Sequence, residues 1–159
     1  MGITTNAKTK VGIGSVTIPT AVLATFTADT YVQAANIMDV GEAGAEAEIV
    51  TGKFTDQDYV RKLKGSRDNG SMELVVARDS ADAGYAALIA AEATSNAYNF
   101  CVELNDKPAT GASPKNSKFY FSAIVASKKN NFGDSDNIVA TTFTLAISGA
   151  IFEVLASAT

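Results

Sequence analysis

The sequence has no histidine and no tryptophan, and only one cysteine and three prolines in 159 residues. Without histidine there can be no Ser-His-Asp triad, no His-ligated metal and no imidazole pH switch. Without tryptophan the commonest sugar-stacking platform is missing, and no pair among the seventeen acids can be singled out for glycoside hydrolysis. The lone Cys101 cannot form an intrachain disulfide and gives no sign of an oxidising compartment. Lying between Phe100 and Val102, with no imidazole to activate it, it reads as a buried thiol on a strand. No apolar run approaches the roughly 18–20 residues of a membrane helix, and the opening MGITTNAKTKVGIG lacks the apolar core of a signal peptide. Synthesis in the cytoplasm without membrane insertion is therefore expected. Positive charge is also scarce: thirteen bases against seventeen acids give a net charge of −4 with no long basic run. Tight docking on nucleic acid draws its affinity from phosphate neutralisation by Lys and Arg, so a protein partner is expected instead.

What is present is 47% hydrophobic residues, enough for one domain. A chain of this size buries roughly 68–70% of its unfolded surface without metals or disulfides. Residues 1–20, ending in Ile18-Pro19-Thr20, mix Thr, Lys, Gly and Ser without sustained periodicity and read as an extended arm; 21–159 form the single domain. Tyr31–Val40 and Ala45–Thr51 are β-compatible and are expected to pair as a hairpin across Gly41–Gly44. In the second strand Glu46 and Glu48 point one way, and Ala45, Ala47 and Ile49 the other. A polar connection from Thr55 leads to Asn69-Gly70, a turn signal, and Ser71–Ala77 is a strand. The one persuasive helix spans about 80–94, with Asp79-Ser80 as cap and Asp82 in its first turn. Its stripe of Tyr85, Leu88, Ile89 and Ala93 should lie on a sheet. Strands follow over Ala97–Leu104, Ser117–Ser127 and Ile138–Val154, the last broken near Ser148-Gly149. Its residues Val139, Thr141, Phe143, Leu145 and Ile147 alternate onto one face. Asn130–Asp134 is expected to be a loop. The fold class is all-β: a sandwich or partly open barrel of about seven or eight antiparallel strands with one flanking helix. Long strands need their margins covered, which favours an oligomer whose subunits extend one another's sheets.

Constellations that resemble sites have simpler explanations. Asp79-Ser80-Ala81-Asp82-Ala83-Gly84 begins like a calcium loop, but Ala81, Ala83 and Ala90 stand where oxygen ligands belong. Gly12-Ile13-Gly14 is a fragment of a dinucleotide fingerprint without its βαβ unit. Asp134-Ser135-Asp136-Asn137 is accounted for by turn chemistry. No catalytic, cofactor or metal residue is assigned, and no enzyme is expected. Charge is segregated along the chain, however. Val11–Gly52 holds five acids and no base, whereas Lys53–Arg67 holds Lys53, Arg61, Lys62, Lys64 and Arg67 against Asp56 and Asp58. These are either two solvated faces or the two halves of a subunit contact, with the basic segment of one copy meeting an acidic strand of the next.

Three stretches carry a family likeness: Thr4-Thr5-Asn6-Ala7-Lys8-Thr9-Lys10-Val11-Gly12-Ile13-Gly14; the run from Thr51 through Thr55-Asp56 and Tyr59 to Gly65-Ser66-Arg67-Asp68-Asn69-Gly70-Ser71-Met72-Glu73-Leu74; and the closing strands Phe119–Ala126 and Asp136–Gly149. Together the sequence resembles the tail tube proteins of long-tailed bacteriophages. The resemblance implies a β-sandwich protomer that assembles into hexameric rings, which stack into a conduit for the genome. It implies that neighbouring inner sheets join around the lumen, and that terminal arms and a long hairpin loop bridge rings. Carried onto this chain, the contacts fall on Gly2–Thr20 and Thr51–Asn69, with Thr4, Lys8, Lys10, Lys53, Asp56, Arg61, Lys62, Lys64 and Arg67 as contact residues. Glu46 and Glu48 are the acids expected to face the lumen, through which DNA passes without tight binding. The partners implied are other copies of itself and other tail proteins, and the location is the virion. Two further readings remain: a related ring-former (secretion tube, tail terminator or baseplate ring), and a monomeric binding module such as a virion decoration with an aromatic patch of Tyr98, Phe100, Phe119, Tyr120 and Phe121.

Overall fold

The computed structural model describes residues 3–159; Met1 and Gly2, the start of the expected arm, lie outside the described residues. The elements are β1 (Lys10–Val16), α1 (Leu23–Ala28), β2 (Val32–Ala34), β3 (Ile37–Asp39), β4 (Glu46–Gly52), β5 (Arg61–Asp68), β6 (Ser71–Ala77), α2 (Ala83–Glu92), β7 (Ala97–Glu103), β8 (Lys118–Asn131) and β9 (Ala140–Val154). Seven strands form one antiparallel sheet in the order β2-β1-β7-β8-β9-β6-β3, and β4 and β5 form a separate two-stranded ribbon.

The margins of the large sheet are β2 and β3, yet only Ala35 and Asn36 separate them in the chain. Three peptide units reach at most about 11 Å, so the sheet has to roll until its margins meet. Asn36 turns the corner at φ 56°, a left-handed conformation its short polar side chain tolerates. The strand expected over Tyr31–Val40 is thus two short strands on opposite margins. The hairpin expected with Ala45–Thr51 does not form: Ile37 pairs with Val76, while Val50 pairs with Leu63.

Period-two alternation decides which side chains fill the roll. Phe100 and Val102 of β7, Phe121, Ala123 and Val125 of β8, Phe143, Leu145 and Ile147 of β9, and Met72, Leu74 and Val76 of β6 point inward and are buried. Phe100 and Phe121 stack with ring centroids 5.7 Å apart, so the aromatic run considered for a binding patch is largely core. The outward residues Cys101 and Tyr120 are covered by the unforeseen helix α1, whose Phe26 packs on Tyr120 and Phe152. Cys101 is a buried thiol, its pKa pushed up to about 11 chiefly by desolvation.

Helix α2 starts later than expected. Its cap is Asp82, whose Oδ2 accepts from the Tyr85 amide (2.9 Å) and the Ala35 amide (3.1 Å), while Asp79 only closes a turn on Ala81. Tyr85 and Leu88 are buried as the stripe required, but Ala93 is exposed and Ala91 takes its place. The Tyr85 hydroxyl meets Thr141 Oγ1 at 2.9 Å, and Thr141 donates to Asn130 Oδ1, so the helix is bonded to both long strands. Asn130 and Asn131 belong to β8, not to a loop. The expected break near Gly149 is a bulge: Tyr120 pairs with Phe152 but Ser122 with Ser148.

The segment read as arm is strand from Lys10 onward. β1 lies between β2 and β7, with Val11 and Ile13 in the core. Its glycines are demanded by crowding, since a Cβ on Gly12 would lie 2.9 Å from Tyr31 Cβ and one on Gly14 would meet the Asp29 carboxylate.

Candidate assembly surface

The ribbon is the part of the chain that its own core does not explain. Among the described residues β4 and β5 pair only with each other, from Glu46 opposite Asp68 to Gly52 opposite Arg61. Ile49, Val50, Leu63, Phe54, Tyr59 and Val60 are all about half exposed or more. Strand β5 looks like a polar connection in the sequence because RKLKGSRD has no buried alternation, its burial pattern being exposed nearly throughout. A two-stranded hairpin is at best marginal in water, so such a ribbon needs a partner surface.

Directly opposed residues share a face. Thr51 with Lys62, Ile49 with Lys64 and Ala47 with Arg67 make one face basic. Val50 with Leu63, Gly52 with Arg61 and Glu46 with Asp68 lie on the other, where Glu48 also falls, making it apolar at Val50 and Leu63, basic at the tip through Arg61 and acidic at the base. A bulge at Gly65-Ser66 sits between the two halves. The acidic and basic segments of the sequence are therefore neighbours within one ribbon of one chain.

Each expected contact residue is exposed. Lys53 and Asp56 lie in the ribbon's loop, and Arg61, Lys62, Lys64 and Arg67 on β5; Arg61 Nε donates to Gln57 Oε1 at 2.8 Å, and none of these bases forms an ion pair among the described residues. Thr4 and Lys8 lie before β1, Lys8 at φ 66°, and Lys10 opens β1 opposite Glu103. Glu46 and Glu48, the acids expected at a lumen, stand on β4, outside the seven-stranded sheet.

Two more margins are open. Among the described residues, β8 has no strand on its β7 side beyond Val125, and β9 has none on its β6 side beyond Ile147. The ribbon's base (Ala45, Arg67, Asp68) and the open half of β9 (Gly149, Ile151, Glu153) form the walls of a groove.

A family model described as phage tail tube protein, TTP, matches residues 1–156. The chain belongs to the phage tail tube protein family. Its role is that of a structural subunit of the tail, a component of the virion. Among solved structures it is similar to a chain of the anti-feeding prophage baseplate, from a six-fold symmetrised cryo-EM structure, with a TM-score of 0.69 over 98% of this chain and 97% of that one at 9% identity. It is also similar to the SPP1 tail tube, with a TM-score of 0.67 over 91% of this chain and 75% of that one at 16% identity. At such identities the likeness is one of fold. No curated protein sequence matches. No helix among the described residues is long and apolar enough to cross a membrane.

Proposed function

We propose that this tail tube subunit works by self-assembly into hexameric rings that stack into a tube, with other tail proteins at its ends and the genome passing through its lumen. The observation that carries the reading is the ribbon: fifteen strand residues that fold only against each other and expose Ile49, Val50 and Leu63. Burying such apolar surface in a neighbour contributes about 25 cal/mol per Å², the usual source of association energy. The ribbon and the segment up to the first residue of β1 supply the ring contacts, through Thr4, Lys8, Lys10, Lys53, Asp56, Arg61, Lys62, Lys64 and Arg67. The net charge of −4 suits a conduit that must not hold phosphate, and Glu46 and Glu48 contribute to that lumen if the ribbon's acidic face turns inward. The reading involves no turnover and no cofactor.

Electron microscopy of the purified protein, alone and with a tail-initiation complex, tests it. Stacked, hollow tubes are expected; monodisperse monomers under both conditions, even at high concentration, sink it. The likeness to a baseplate chain over nearly its full length favours a second reading, a ring that does not stack. Single rings at every concentration would select that one.

A further inference from the structure

The two ends of the rolled sheet differ, and they complement each other. Strand polarity puts the start of β8, the end of β7 and the end of β9 at one end, since Glu103 pairs with Lys118 and Lys118 with Val154. That end opens as an apolar mouth of about 240 Å³ lined by Val40, Met72, Leu104, Phe119, Phe121 and Ile151. A cavity of roughly 150 Å³ already admits a benzene ring. Thr9 forms part of its wall and has a buried hydroxyl with no partner among the described residues; Lys8 and Lys10 flank Thr9 in the chain, and Gly41 also lines the mouth. At the far end β8 turns into β9 through residues 132–139, whose Phe132 is 65% exposed and whose Asp134 and Asp136 are exposed beside it.

We propose that Phe132 of one copy seats in the mouth of the next, with Asp134 and Asp136 meeting Lys8 and Lys10. This rests on the tube reading and adds to it the contact that repeats along the tube. The knob and the hole cannot meet within one chain, because β8 separates them by about 40 Å at 3.3 Å per residue. A patch that fits a pocket elsewhere on the same molecule makes a head-to-tail contact, which propagates as a file instead of closing as a pair. The apolar ring supplies the burial, the aspartates and lysines set the register, and the Thr9 hydroxyl gains a partner in the incoming loop.

The test uses the full chain carrying Cys101→Ala, Ser135→Cys and Ala43→Cys, oxidised during assembly and run on a non-reducing gel. A ladder of dimers, trimers and longer species is expected, and adding Phe132→Ala should reduce it at least tenfold while circular dichroism stays unchanged. In the same background, Asp134→Lys with Asp136→Lys should suppress the ladder, and Lys8→Asp with Lys10→Asp should restore it. Dimers alone indicate a symmetric pair and overturn the proposal. So does the absence of any cross-link, which leaves the mouth to a small apolar molecule or to the chain's own N-terminal end. Microscopy of the same samples separates the two claims: tubes without a ladder sink only this contact, and a ladder without tubes sinks only the tube reading.

Discussion

Asp29 shows how much a single side chain holds together in this fold. Its Oδ2 accepts from the Ser15 amide (2.9 Å), the Ser15 hydroxyl (2.9 Å) and Asn99 Nδ2 (2.8 Å), and its Oδ1 from the Thr30 amide (2.8 Å). It ties the segment after α1 to β1 and β7. Partial burial raises its pKa, but the hydrogen bonds, led by that from Asn99, outweigh it and hold the group below 3.8. A depressed carboxylate binds fewer protons folded than unfolded, so its stabilisation is present above that value and is lost as pH falls through the folded pKa. Asp29→Asn should cost about 1–2 kcal/mol at pH 7, with the deficit shrinking below about pH 4. Urea unfolding at pH 7 and pH 3 checks this, and a deficit that does not change with pH would mean the charge is irrelevant. Gly84 makes a second residue-level case. Alanine inside a helix normally gains about 1 kcal/mol over glycine, but here a Cβ would run into the Ala34 backbone and the Gln33 carbonyl. Backbone cannot swing aside, so overpacking should win and Gly84→Ala should lower Tm, with a net loss of about 1–3 kcal/mol in thermal melts. Neither role is legible in the sequence. Gly12 and Gly14 read as flexibility for the same reason: the side chains that crowd them, Tyr31 and Asp29, lie some fifteen residues or more along the chain.

Elements that face one core were legible; those that face none, or two, were not. Ser71–Ala77 and the face of β9 from Thr141 to Ile147 alternate because one side is buried, and the structure keeps both. β1 is too short and too rich in glycine to show its alternation, and β5 has no buried side to reveal it. Partner choice was likewise hidden, because nothing local says that β4 should take β5 and leave β3 to β6. The same physics sets the dynamics. In the unassembled protein the ribbon has only its own ladder, so the amides of Ile49–Gly52 and Arg61–Lys64 should exchange with solvent at least a hundredfold faster than those of Phe100–Val102 and Phe121–Ala123 in the centre of the sheet. On assembly the ribbon should gain protection while the sheet centre changes little. Hydrogen-exchange mass spectrometry on both states reads this directly, and a ribbon already protected in the monomer would show that it needs no neighbour.

At the scale of the whole molecule, two electrostatic terms act on assembly in opposite directions. Copies carrying −4 each repel one another at long range, whereas the face bearing Lys62, Lys64 and Arg67 can attract an acidic surface at contact. Their ranges separate them, because at 0.15 M ionic strength the Debye length is about 8 Å: repulsion between whole subunits is largely screened, and a contact at hydrogen-bond distance is screened far less. Reversing Lys62→Glu with Lys64→Glu takes the subunit to −8 and strikes the contact. Reversing the exposed Lys107→Glu with Lys115→Glu, on the loop between β7 and β8, takes it to the same −8 away from the ribbon. Both variants should elongate more slowly at 0.02 M salt. Raising salt to 0.15 M should return the Lys107/Lys115 variant to within about twofold of wild type, while the Lys62/Lys64 variant should stay at least tenfold slow, with circular dichroism showing both folded. Light scattering across a salt series measures these rates. Equal recovery of the two variants would assign the effect to net charge alone and remove the basic face of the ribbon from the contact.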